Sequence, residues 1–122
     1  MMLINGLLVF LGGGTGSLLR YLVNLITQIY TFNHIGTLLV NTIGSFLFGF
    51  FIIFAKDKNE YFNIFFLAGV LGGFTTFSQF SYDVINLQNE SNLQSIIYLL
   101  LSLLLSVLLA FVGMILANRI LK

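Results

Sequence analysis

The stretch Gly69-Val70-Leu71-Gly72-Gly73-Phe74-Thr75-Thr76-Phe77-Ser78-Gln79-Phe80-Ser81 decides the fold. It lies inside a run, 61–82, that carries no charged side chain. Paired glycines, paired threonines and two serines are poor material for an unbroken helix. In hydrocarbon, a break frees backbone carbonyls, which is tolerated only where protein, water or an ion satisfies them. The stretch therefore predicts a membrane helix broken at mid-span, with carbonyl oxygens of the kind that hold hard cations at helix breaks. On residues alone, a helix merely kinked and packed through glycine stays open beside it. Phe77 and Phe80 are three apart and share a helix face. Such a pair is ordinarily core or lipid contact, but it can also aim positive ring edges at an anion in a pore.

The rest of the chain agrees with a lipid solvent. Of 122 residues, 58% are hydrophobic and 7% charged, with a mean hydropathy of +1.03. A soluble domain carries about 25% charged residues. This composition excludes a soluble enzyme, a disordered segment and a basic nucleic-acid binder. A net charge of +1 implies no strongly charged partner. The absence of cysteine excludes a disulfide framework and a thiol nucleophile, and one histidine excludes a histidine-rich metal site. No nucleophile–base pair, carboxylate pair or phosphate loop is present, so an enzyme is not expected. Gly12–Gly14 follow an apolar helix rather than a strand, which argues against a nucleotide loop.

Charges punctuate the sequence at Arg20, at Lys56, Asp57, Lys58 and Glu60, at Asp83 and Glu90, and at Arg119 and Lys122. Between them lie four apolar runs, read as helices at about 3–29, 35–55, 61–86 and 95–118. Together they make a single four-helix transmembrane domain, 1–122. The links Tyr30–His34, Lys56–Glu60 and Leu87–Gln94 are short, so consecutive helices run antiparallel. No Lys or Arg precedes the first run, so Leu3–Ile29 is expected to be a retained helix rather than a signal peptide. The runs are continuous rather than alternating, which excludes transmembrane strands. Lys56, Lys58, Arg119 and Lys122 share the side of the termini, and only Arg20 leans the other way. That side is therefore expected to be cytoplasmic.

Polar groups inside apolar helices are the functional candidates. Gly12 and Gly16 form a small-xxx-small pair suited to close packing. Arg20 either snorkels to a span end or lines a water-filled vestibule that attracts anions. Thr37, Asn41 and Ser45 recur every four residues on one face. Asn41 either bonds a neighbouring helix or offers its amide to something moving along that face. Tyr98, Ser102 and Ser106 recur the same way, either bonding their own backbone or forming a ladder of donors along a path. Asp83 reads as an interfacial end residue rather than a proton carrier. His34 falls in a link and receives no role.

At this point the sequence resembles the small fluoride channels known as Fluc or CrcB. The resemblance rests on the Gly-rich first helix ending in Arg20-Tyr21, on Val40-Asn41-Thr42-Ile43-Gly44-Ser45-Phe46, and on Gly72-Gly73-Phe74-Thr75-Thr76-Phe77-Ser78-Gln79-Phe80. It covers essentially the whole chain. It implies an antiparallel, dual-topology dimer with two pores. It implies a structural Na⁺ at the dimer centre, held by backbone carbonyls that fall on Gly72 and Thr75. The pore phenylalanines fall on Phe77 and Phe80, and the pore asparagine on Asn41 with Thr37 one turn away. The polar track falls on Tyr98, Ser102 and Ser106, and the vestibule arginine on Arg20. The activity implied is passive export of cytoplasmic fluoride across a bacterial plasma membrane.

Two features depart from that pattern. Gln79 stands where the family usually has threonine. The charge bias is four against one, whereas a chain inserting both ways needs nearly balanced Lys and Arg. A homodimer is the first expectation, and a heterodimer with an inverted paralogue the second. Two other functions compete. A small multidrug-type four-helix exporter needs a carboxylate in its first helix, but no Asp or Glu precedes Asp57. A non-transporting membrane scaffold would explain the small residues but not polar faces on three helices.

Overall fold

A computed structural model describes residues 1–30 and 33–121. Thr31 and Phe32, in the first expected link, and Lys122, counted in the charge bias, lie outside the described residues. Every regular element among the described residues is helical. Four helical segments are long and apolar enough to cross a bilayer, and the chain is a membrane protein.

Helix α1 is Met2–Tyr30 and α2 is Asn33–Phe54, which a short 3₁₀ turn, Ala55–Asp57, follows. Helix α3 covers 60–74 as Glu60–Phe62, a π-helical stretch Asn63–Leu71, and Gly72–Phe74. Helix α4 is Phe77–Glu90 and α5 is Asn92–Ile120. Asn59 Oδ1 accepts from Phe62 N at 2.9 Å and Ser91 Oγ from Gln94 N at 3.4 Å, capping the starts of α3 and α5. With 29 residues each, α1 and α5 reach about 43 Å. That exceeds a hydrocarbon core of about 30 Å, so they tilt or protrude.

Three boundaries differ from expectation. The link expected over Leu87–Gln94 contracts to Ser91, because α4 continues to Glu90 and Ser91 caps α5 directly. His34 is not in a link: it lies in the first turn of α2, its ring edge-on to Tyr98 at 5.4 Å between centroids. Asp83 lies further from the helix end than expected, since α4 runs seven positions beyond it, and it is buried.

Helix α1 packs against α3, and α2 against α5. After residue 76 the chain changes partners, because α4 packs on α5 and more lightly on α2. Glycines set the closeness of both pairs. A Cβ on Gly12 would collide with the Phe65 carbonyl, and one on Gly16 with the Val70 carbonyl. Across the other pair, Gly49 meets the Ala110 carbonyl and Gly113 the Phe46 carbonyl. Lipid supplies no hydrophobic drive between helices, so such backbone approach is what holds them together. No described residue has a positive φ, so these glycines serve contact rather than turns. Buried apolar side chains are few, and Phe80, Leu87 and Tyr98 form a cluster with Leu38, Val84 and Leu99 packed on it. Most large apolar side chains of α1 and α5 face outward.

Candidate functional site

Between α3 and α4 the backbone leaves the helix. Thr75 (φ −78°, ψ 154°) and Thr76 (φ −150°, ψ 115°) are extended. Thr75 remains tied to α3, its N and Oγ1 both donating to the Leu71 carbonyl at 3.1 Å. Thr76 is held from across the bundle. Its N–H donates to Asn41 Oδ1 at 2.7 Å, and its carbonyl accepts from Asn41 Nδ2 at 3.0 Å. One amide side chain thus satisfies both backbone groups of Thr76, as buried polar groups require. The Thr76 hydroxyl then caps α4, accepting from Gln79 N at 3.2 Å.

Asn41 also lines a cavity of about 270 Å³ with Ser45, Phe77, Phe80, Ser102 and Ser106. The structure therefore gathers these six sequence candidates in one place, and Thr75 lines the same cavity. The two rings stand 5.4 Å apart at 54°. Phe80 is 5% exposed, whereas Phe77 is 72% exposed on the single chain. Ser102 Oγ is buried and has no hydrogen-bond partner.

Thr37 and Tyr98 do not line this cavity. Both are buried, and the Thr37 and Ser102 hydroxyls lie beside that of Tyr98. The Tyr98 hydroxyl donates to Asp83 Oδ2 at 3.2 Å, and Asp83 Oδ1 accepts from Gln79 Nε2 at 2.9 Å. Asp83 is thus a buried carboxylate satisfied by two neutral donors. On its other side, Tyr98 borders a second cavity of about 400 Å³ with His34, Glu90 and Gln94.

Arg20 does not snorkel to a helix end. It folds onto the interruption, Nη1 donating to the Thr75 carbonyl at 3.4 Å and Nη2 to Ser17 Oγ at 3.5 Å. These are long, weak bonds. Arg20 also lines a cavity of about 320 Å³ with Ser17, Asn24, Thr76, Ser78 and Gln79. The implied Na⁺ can be tested against the donors. No three His, Cys, Asp or Glu side chains converge among the described residues. At the interruption, the Thr76 N–H that a continuous helix would direct to the Gly72 carbonyl goes to Asn41. Among the described residues, the Thr75 carbonyl accepts just the long bond from Arg20. Neutral carbonyl oxygens suit a hard cation. Two from one chain are too few to enclose it, so this chain alone does not supply a complete Na⁺ site.

Sequence reasoning passed over three features. Thr76-Phe77-Ser78-Gln79 carries the Thr-x-x-Gln pattern of a helix start, which marks where α4 begins. The π-helical stretch before the interruption had no signal. Nor did the pairing of Asp83 with Tyr98, fifteen residues apart and on different helices.

A family model described as CrcB-like protein, Camphor Resistance (CrcB), matches residues 7–114. A protein named fluoride-specific ion channel FluC from Thermotoga petrophila is 40% identical over 113 residues, covering 88% of this chain and 89% of the relative. Its namesake from Pyrococcus furiosus is 36% identical over 116 residues, covering 92% and 94%. Another from Rhizobium meliloti is 42% identical over 114 residues, covering 88% and 91%. Each similarity runs over most of both chains, and the family model's residues reach into all four spans and include the interruption between α3 and α4: this chain belongs to the CrcB-like family.

Proposed function

We propose that the chain is a fluoride channel of a bacterial plasma membrane, letting cytoplasmic fluoride leave passively. Family membership supports this, as do the relatives named fluoride-specific ion channels. The observation that carries it is the cavity where the buried, unpartnered Ser102 hydroxyl meets Asn41, Ser106 and the Phe77–Phe80 pair. A buried hydroxyl without a partner costs about 1–3 kcal/mol, a cost that an anion accepting its hydrogen bond removes.

Fluoride is small and strongly hydrated, so entry requires replacing its water shell. The Ser102 and Ser106 hydroxyls and the second Asn41 N–H are neutral donors, and the phenyl edges are positive. Conduction needs sites weak enough to leave, which favours neutral donors over a lysine or arginine in the narrow part. Arg20 stands off the central cavity and draws anions toward it.

Two copies related by inversion complete the assembly. The interruption then lies at mid-membrane, and the exposed Phe77 gains a partner surface. The Gly72 and Thr75 carbonyls of both copies would hold the structural Na⁺. When bound, that ion satisfies the freed carbonyls and adds positive potential near the anion path.

Fluoride efflux from liposomes containing only this chain tests the proposal. A fluoride electrode follows release, with valinomycin present to carry K⁺ and chloride as the control anion. Rapid fluoride-selective efflux is expected, and Phe80→Ile should abolish most of it. Full flux in that variant would instead favour a pore elsewhere, and no flux from monodisperse wild-type protein would mean either a missing inverted partner or the scaffold reading, which adding an inverted-bias paralogue separates.

A further inference from the structure

Gln79 departs from the family pattern, and its geometry gives it work. It occupies the third helical position of α4 after the Thr76 cap, where a glutamine ordinarily folds back to bond the cap residue's N–H. Here that N–H is already donated to Asn41 Oδ1 at 2.7 Å. The Gln79 side chain turns forward instead, and Nε2 reaches Asp83 Oδ1 at 2.9 Å, one helical turn on.

Asp83 is 5% exposed. An ionised carboxylate only accepts hydrogen bonds, and Asp83 has one donor on each oxygen, Gln79 on Oδ1 and Tyr98 on Oδ2. Tyr98 stands between two cavities. Its hydroxyl lies beside that of Ser102, which lines the central cavity. Its flank borders the cavity shared with His34 and Glu90. An anion passing from Ser102 toward that second cavity therefore travels beside the Asp83 carboxylate. An unshielded like charge there repels it.

The geometry points to Gln79 as a positioning residue for anion conduction, an inference that rests on the channel reading above. Its amide pins the Asp83 carboxylate against the Tyr98 hydroxyl and screens its charge from the passing anion. The Tyr98 proton is thereby committed to Asp83, so Tyr98 shapes the path without donating to fluoride.

Fluoride efflux measured on four proteins decides it: wild type, Gln79→Met, Asp83→Asn and the double variant. Methionine keeps the length of the side chain but cannot donate. Gln79→Met should lower flux about tenfold, the scale of one hydrogen bond to a charged group. In the Asp83→Asn background no charge remains to screen, and the same substitution should change flux by less than about twofold. A packing role for Gln79 would cost flux in both backgrounds, and that result overturns the inference. So does a Gln79→Met protein as fast as wild type. If Gln79→Met is not monodisperse, Gln79→Leu goes through the same comparison. A wild type that carries no fluoride by itself is reconstituted again with an inverted-bias paralogue, and silence there too sinks the channel reading and this inference together, whereas a conducting wild type indifferent to Gln79 sinks the inference alone.

Discussion

At the scale of single residues, Asn41 and Ser102 show how differently two polar groups of one cavity are used. Asn41 has both amide ends engaged by Thr76, so it holds the backbone as well as facing the cavity. Ser102 Oγ makes no well-formed hydrogen bond and has only the Tyr98 hydroxyl beside it. Ser102→Ala should therefore change the melting temperature little, because at most a weak contact with the Tyr98 hydroxyl is lost. The same variant should slow fluoride efflux roughly tenfold if the hydroxyl serves the anion. A thermal-shift measurement beside the flux assay checks both halves, and an unchanged flux would remove Ser102 from the path. The residue types at these positions were legible in the sequence, since serine and asparagine inside an apolar helix stand out. Which of them is engaged was not legible, because Asn41 finds its partner 35 residues away, on another element.

At the scale of elements, the interruption after Phe74 is where one membrane segment exchanges α1 for α5 as its neighbour. Glycine spacing lets both neighbours come close. A Cβ at Gly113 would strike the Phe46 carbonyl and stand 2.9 Å from Phe50 N, both backbone atoms that cannot swing aside. Gly113→Ala is therefore expected to destabilise the protein by about 1–3 kcal/mol. Gly14→Ala meets nothing within 4 Å and should be neutral or stabilising by up to about 1 kcal/mol, from helix propensity alone. Melting followed by size-exclusion chromatography in detergent compares the two. Equal melting of both variants would show that the α2–α5 contact can relax. Helix count and approximate limits were legible from apolar runs between charges. The true end of α4 and the single-residue link Ser91 were not, because capping moves a boundary without changing hydropathy.

At the scale of the whole molecule, the distribution of Lys and Arg bears on orientation. The chain has no cysteine, so one introduced cysteine reports its side of the membrane without background. Lys58 and Glu90 are exposed, Lys58 just before the start of the third segment and Glu90 at its far end. In a dual-topology homodimer, Lys58→Cys and Glu90→Cys should each be labelled to about half by a membrane-impermeant maleimide, since two orientations coexist. Complete labelling of one and none of the other would mean a fixed orientation, and would call for an inverted partner chain.

The sequence by itself determined the solvent, the four spans and the short list of polar candidates. Composition and charge spacing act locally, and a bilayer leaves few ways to satisfy them. Only the tertiary structure decided which candidates meet. It set Asn41 on Thr76, turned Arg20 onto the Thr75 carbonyl, and buried Asp83 between Gln79 and Tyr98. Hydrogen bonds between helices depend on rotation and depth in the bundle. Those are set by glycine contacts between backbones, and hydrophobic pattern within one helix does not encode them.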